Sequence, residues 1–303
     1  MRRMHIKHSI PFKRVEKSID FRKERFRLVL AEYPDDLVRL KGNLAKGFTD
    51  ESKIKGFLFH TNYELLWKYD YLYRDTGAIE DWQVAMRALS VMEQIFQFNI
   101  MRFALKPNET KRVTIEGFDF LCEPATFCHY NNWLANVYFS VAMRNQRDVE
   151  TLLNIDPKLF DAYKYPHDEY PDYSAHVFKI LRALIYQDTD AGPLIEHYQT
   201  AYPRYMVHER SRHIFDPWYC VVQGDKKGYE QAMRKVSKLH RSAERRDLLF
   251  TSERIMGSYP GELIAAACIA YDQHQWRLDH TNDYVLDWWY DTALRETGYQ
   301  YPL

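Results

Sequence analysis

Apolar residues recur at intervals of three and four along most of the chain, the period of helices that bury one side. From Pro11 to Ala31, Val15, Ile19, Phe26 and Leu30 keep that spacing. Ser9 stands where a cap belongs, and Tyr33-Pro34 supplies a stop. Phe57, Leu58, Leu65, Leu66 and Tyr69 define a second helix over Glu51 to Asp75, ended by Thr76-Gly77, and a third follows from Ile79 to Leu105. Two long helices joined by so short a turn predict an antiparallel hairpin.

The period then changes. Val113, Ile115, Phe118, Phe120 and Cys122 alternate with polar residues around Glu116-Gly117, which predicts a β-hairpin and the chain's only β-structure. Helical spacing resumes over Ala125 to Arg144, Tyr173 to Tyr186, Gly192 to Ala201, Val207 to Val222, Lys226 to Arg246, Gly261 to Gln273 and Asn282 to Glu296. No repeat consensus recurs at a fixed period. The expected fold is therefore all-α, an irregular array of antiparallel helical hairpins with one short β-hairpin inserted. No Gly/Ser tract cuts the chain, so residues 1–303 read as one domain, with 161–172 the best candidate for an internal boundary.

Composition supports that reading. Eleven glycines and twelve prolines in 303 residues are few, and helices tolerate those two residues least. Apolar residues make up 46% of the chain, enough for a sizeable core. Forty-two basic residues balance forty-two acidic ones, which argues against a general nucleic-acid binder. No run of eighteen apolar residues is present and the basic start lacks an apolar signal core, so a cytoplasmic protein without membrane contact is expected. Cys122, Cys128, Cys220 and Cys268 show no CxxC spacing and read as reduced thiols.

Chemistry-bearing motifs are weak. His208 and His213 flank Glu209, but a zinc helix needs its histidines four apart, and five rotates the second about 100° too far. His60 and Glu64 stand at i, i+4, as a helix-surface pair does. His167, Asp168, Glu169 and His176 form another polar cluster, in which Asp168 and Glu169 precede the helix at Tyr173, where acids favour the positive end of the helix dipole. Gly257-Ser258 has the wrong spacing for a nucleophile elbow. No catalytic, cofactor or metal residues are assigned.

Three segments carry a resemblance: Ser9-Ile10-Pro11-Phe12 with Val15 to Asp20; Pro124-Ala125-Thr126 leading to Tyr130-Asn131-Asn132-Trp133-Leu134; and Pro260-Gly261-Glu262-Leu263 running on to Tyr271-Asp272. Their order resembles immunity protein family 49 of bacterial polymorphic toxin systems, from about residue 8 to 290. The alanine run at 265–267 reads as a helix that lets a neighbour approach, and Asn131 and Asn132 as caps or braces for the helix carrying Trp133. The resemblance implies a helical cytosolic protein without a cofactor. Its partner would be a toxin delivered between competing bacteria, by type VI secretion among other routes, with a homodimer as a further assembly. From the residues alone, a helical-repeat scaffold for an endogenous protein and an unrecognised hydrolase built on His60/Glu64 or the His167–His176 cluster stay open.

Two stretches have the composition of a docking surface. One holds Tyr163, Tyr165, Asp168, Glu169, Tyr170 and Asp172 on a connection. In the other, Asp279, Asp283, Asp287 and Asp291 recur every fourth residue, beside Trp288, and are expected to stack along a C-terminal helix. Either could face a cationic toxin; basic residues of the first helix could instead neutralise the second. The helix from Lys226 to Arg246 is basic but mixed, and reads as a solvated face.

Overall fold

The computed structural model describes residues 9–10, 19–47, 49–156, 158–161, 173–187, 191–201, 209–245, 259–282 and 284–298. Helix accounts for 74% of the described residues, which places the chain in the all-α class. By their contacts the residues divide into two compact units, one of Met1–Lys13 with Thr126–Thr292, the other of Arg14–Ala125 with Ala293–Leu303.

The second unit is built on three long helices, α1 (Ile19–Ala45), α2 (Glu51–Thr76) and α3 (Ile79–Ala104). Asp50 caps α2 by accepting from the Lys53 amide, and Gly77 ends it at φ 67, a left-handed turn that costs glycine nothing. The α2–α3 hairpin expected from the sequence is present, with Phe59 near the start of α2 packed edge-on against Phe96 near the end of α3. Helix α1 does not stop at Tyr33-Pro34. It continues through Pro34 to Ala45, because Tyr33 is buried against α2 and its hydroxyl accepts from Asn62 Nδ2 at 2.9 Å. Packing outweighs one lost backbone bond. Residues 11–18, where that helix was expected to begin, lie outside the described residues. Strands β2 (Lys111–Ile115) and β3 (Phe118–Cys122) pair antiparallel through the two-residue turn Glu116-Gly117. Both turn residues have positive φ, the requirement of the turn that matches strand twist. Phe118, Phe120 and Cys122 point inward while Asp119 and Leu121 stay exposed. Helix α14 (Ala293–Thr297) returns to this unit, where the Arg295 carbonyl accepts from Trp82 Nε1 at 3.1 Å.

The first unit centres on α4 (Tyr130–Ala142) and α12 (Gly261–His274). Residues 262–268 of α12 are all buried, the mark of a helix with neighbours on every side. The run Ala265-Ala266-Ala267 gives those neighbours room, and a Cβ on Gly261 would stand 3.0 Å from the Tyr138 Cβ of α4. The expected asparagine cap of α4 is not seen: His129 occupies the cap position without a side-chain bond, and Asn132 is exposed. Trp133 is fully buried and donates from Nε1 to the Leu152 carbonyl at 3.0 Å, on the short helix α5 (Gln146–Leu153) that the sequence reading missed.

The remaining elements of this unit are α6 (Lys158–Asp161), α7 (Tyr173–Ile185), α8 (Ala191–Ala201), α9 (Glu209–His213), α10 (Asp216–Val222), α11 (Lys226–Arg245) and α13 (Asp287–Tyr290). One expected helix over Val207 to Val222 is thus two among the described residues, with Pro217 opening the second. The hairpin is also not the only β-structure. Strand β1 (Ser9–Ile10) pairs in parallel with β4 (Thr281–Asn282), so Ser9 sits in a strand rather than at a helix cap.

The largest departure is at the C-terminal side, where a helix over Asn282 to Glu296 was expected. Tyr284, Val285, Leu286, Trp288, Trp289 and Tyr290 are all buried. A helix on a surface buries one face, and near-consecutive buried residues need a chain that turns irregularly. Leu286 is accordingly extended, and the Asn282 side chain accepts from the Tyr284 amide at 3.0 Å.

Candidate functional site

The acidic residues 279 to 291 do not form a helical stripe. Each described member is held by a different partner within its own unit. Asp279 accepts from Arg234 of α11 at 2.6 Å and from His280 Nδ1 at 2.8 Å. Burial works against that carboxylate, but the two donors together hold its pKa below the ordinary value. Asp291 accepts from Arg277 at 2.5 Å, and the same guanidinium lies over the Tyr271 ring, 5.2 Å from its centroid. Asp287 accepts from the Tyr290 hydroxyl. Asp283 lies outside the described residues. Trp288 has no exposed surface, stacks on Trp289 at 4.3 Å and takes the edge of Tyr259 at 6.1 Å. It fills the core beneath the carboxylates. The arginines seen on these carboxylates, Arg234 and Arg277, come from α11 and the segment after α12; the first helix's side chains up to residue 26 lie outside the described residues.

The other stretch, Tyr163, Tyr165, Asp168, Glu169, Tyr170 and Asp172, falls wholly outside the described residues, as do His167 and His208. Tyr130, Tyr173 and Tyr198 form a phenol cluster in which Tyr198 is buried, with the Tyr173 and Tyr198 hydroxyls 3.4 Å apart. Burial, reinforced by the neighbouring phenols, raises the pKa of Tyr130 and Tyr198 well above the ordinary value, so these hydroxyls stay protonated and serve as packing.

Glu64, His176 and His213 have structural partners. Glu64 pairs with Lys68 at 2.5 Å, one turn away, rather than with His60. His176 Nε2 lies 2.8 Å from the Leu194 carbonyl, which fixes that nitrogen as a donor. His213 bridges Asp216 at 2.7 Å and Lys235 at 2.9 Å. An ammonium only donates, so His213 Nε2 accepts and Nδ1–H points to Asp216. No group of three or more metal-ligating side chains gathers among the described residues. The four cysteines are free thiols, and burial, with Asp225 and Asp216 nearby, pushes Cys220 up to about 11. Beside Cys220 a shallow cleft of about 330 Å³ opens between α10 and α11, floored by Gly228 and Ala232 and edged by Asp216 and Lys235.

Sequence reading missed Arg144. It occupies the left-handed position after α4 (φ 58) and reaches five backbone or side-chain groups, Cys268 Sγ among them at 2.9 Å. Its guanidinium donates to the carbonyls of Ala142 (2.7 Å), Trp289 (2.8 Å) and Tyr290 (2.6 Å) and to the Asp272 carboxylate (3.0 Å). Nothing in the sequence marks it, because all but one of these partners lie more than 120 positions away.

Glu64, His176 and His213 thus serve as structural partners within a helical protein. The chain belongs to the family described as immunity protein 49, which matches residues 73–289. That span includes the mid-chain and C-terminal segments that carried the resemblance, while the segment at Ser9 to Asp20 precedes it. Nothing among curated proteins or solved structures matches the chain. No helix among the described residues is long and apolar enough to cross a membrane.

Proposed function

We propose that the chain is a cytoplasmic immunity protein that binds a cognate toxin and neutralises it without chemistry of its own. Membership of the immunity protein 49 family carries this reading. The pairing of Glu64, His176 and His213 with structural partners supports it, because a protein that only binds has no need of a poised acid or base. The toxins of such systems pass between competing bacteria, by type VI secretion among other routes. The first docking surface we propose is the acid- and tyrosine-rich stretch Tyr163, Tyr165, Asp168, Glu169, Tyr170 and Asp172, which suits a cationic active site. The second docking surface we propose comprises Asp279, Asp283, Asp287 and Asp291 with Trp288.

Co-expression tests the reading. A toxin gene lying directly upstream should kill cells alone and spare them when this chain is present. Death despite abundant soluble chain would overturn it. For the surface, Tyr165→Ala with Tyr170→Ala should weaken toxin binding without lowering the melting temperature; unchanged binding places the interface elsewhere.

A further inference from the structure

Helix α11 buries Tyr229, Met233, Val236, Ser237 and His240 along one side. Its opposite side is exposed and carries Lys227, Gln231, Lys235 and Lys238. At 100° per residue these four fall within an arc of about 80°, and Lys227 to Lys238 spans about 16 Å. Lys227 and Lys238 meet no carboxylate among the described residues. Lys235 donates to His213 Nε2 at 2.9 Å, which orients the ammonium beside the cleft. Lys238 stands one turn from Lys235, so like charges adjoin at i, i+3, an arrangement that opposes the helix, while Arg234 at the preceding turn is answered by Asp279. The cleft floored by Gly228 and Ala232 opens at the edge of this face. Cys220, kept as a thiol by burial, gives it an uncharged wall.

We infer that this face of α11 is a docking surface for an acidic patch of the toxin, with one toxin side chain entering the cleft beside Lys235. The inference rests on the toxin-binding reading and names a site within it. It is distinct from the acidic stretch, so the partner would present both signs of charge. A protein partner fits better than a nucleic acid. The lysine row is short, and the chain's forty-two basic residues are matched by forty-two acidic ones. Charge complementarity of this kind speeds encounter and fixes orientation, and a filled cleft slows release.

The test uses the full chain and the toxin whose lethality it suppresses, titrated calorimetrically at low and high salt. Lys227→Glu with Lys238→Glu should weaken binding about 30-fold or more at low salt, and Lys227→Gln with Lys238→Gln about fivefold. Both differences should shrink at high salt, where screening removes the charge contribution. Ala232→Trp, which fills the cleft, should speed dissociation at either salt. Melting temperatures should hold, since these side chains are exposed or at the cleft surface. Wild-type binding with all three variants equal to it would overturn this surface and leave the toxin reading standing. A wild-type chain that neither binds nor protects would sink both. Lysine-dependent binding of a short DNA duplex or single-stranded RNA, with toxin affinity unaffected by the same substitutions, would reassign the face to nucleic acid.

Discussion

Replacing Arg144 separates two opposed effects. At the end of α4 the Arg144 amide donates to Val141 at 3.1 Å and the Asn145 amide to Ser140 at 3.0 Å, the two bonds of a Schellman turn. Arg144 holds the left-handed position where glycine is usual, and a side chain there costs about 1 kcal/mol. Its guanidinium offsets that strain. The carbonyls of Trp289 and Tyr290 are part-buried, and losing a charged donor costs roughly 1–2 kcal/mol each. Asp272 is 46% exposed, so its ion pair adds about half a kcal/mol at most. Arg144→Ala keeps the strain and loses the clasp, for about 3 kcal/mol in total. Arg144→Gly loses the clasp and relieves the strain, for about 2. Near 2–4 °C per kcal/mol for a unit of this size, melting should drop by roughly 6–12 °C for alanine and 4–8 °C for glycine. Thermal denaturation followed by circular dichroism reads both. A glycine variant as stable as the wild type would refute the clasp, and a glycine variant below alanine would refute the strain.

Three further outcomes follow from the packing. His280 is buried and its pKa lies below the ordinary value because burial outweighs the pull of Asp279; Arg234 and Lys238 nearby act in the same direction as burial. The unfolded ring therefore takes a proton that the folded ring resists. The contribution is intact above about pH 6.5 and is lost as pH falls below it. Urea midpoints at neutral and mildly acid pH should diverge less for His280→Gln than for the wild type; equal divergence would count against it. The buried pair of Arg210 and Glu262 predicts that Arg210→Met costs about 3–5 kcal/mol, with Arg210→Met/Glu262→Met recovering much of the loss in denaturant titrations. Gly56 has open space around its Cβ position within α2, so Gly56→Ala should stabilise by about 0.5–1 kcal/mol. Gly261→Val, pressed on Tyr138, should cost about 1–3 kcal/mol, and similar melting shifts for the two would refute the close approach of α4 and α12.

Where one face of an element is buried, the sequence announces it. Phe118, Phe120 and Cys122 alternate, and Leu58, Leu65, Leu66 and Tyr69 follow a helical stripe, so the hairpin and α2 could be read directly. Where burial surrounds the backbone, periodicity disappears. Helical spacing over Asn282 to Glu296 predicts a helix with the aspartates stacked along it, yet Asp279 and Asp291 answer Arg234 and Arg277 on separate elements. Pro34 misled for a related reason, since the contact of Tyr33 with Asn62 lies 29 residues along the chain. The charge on α11 was visible as composition; that its lysines share an exposed face beside a cleft required the fold.

The pairing of Ser9–Ile10 with Thr281–Asn282 has a consequence for synthesis. A ribosome adds about 5–20 residues per second, so β1 is synthesised roughly 14 to 54 seconds before its partner exists. During that interval Arg14–Ala125, with its own long helical hairpin, can collapse on local contacts alone. The other unit closes last, around a strand that has waited through almost the whole translation. A nascent chain stalled before residue 281 should therefore show a protease-resistant α2–α3 hairpin while its β1 edge remains open to other chains.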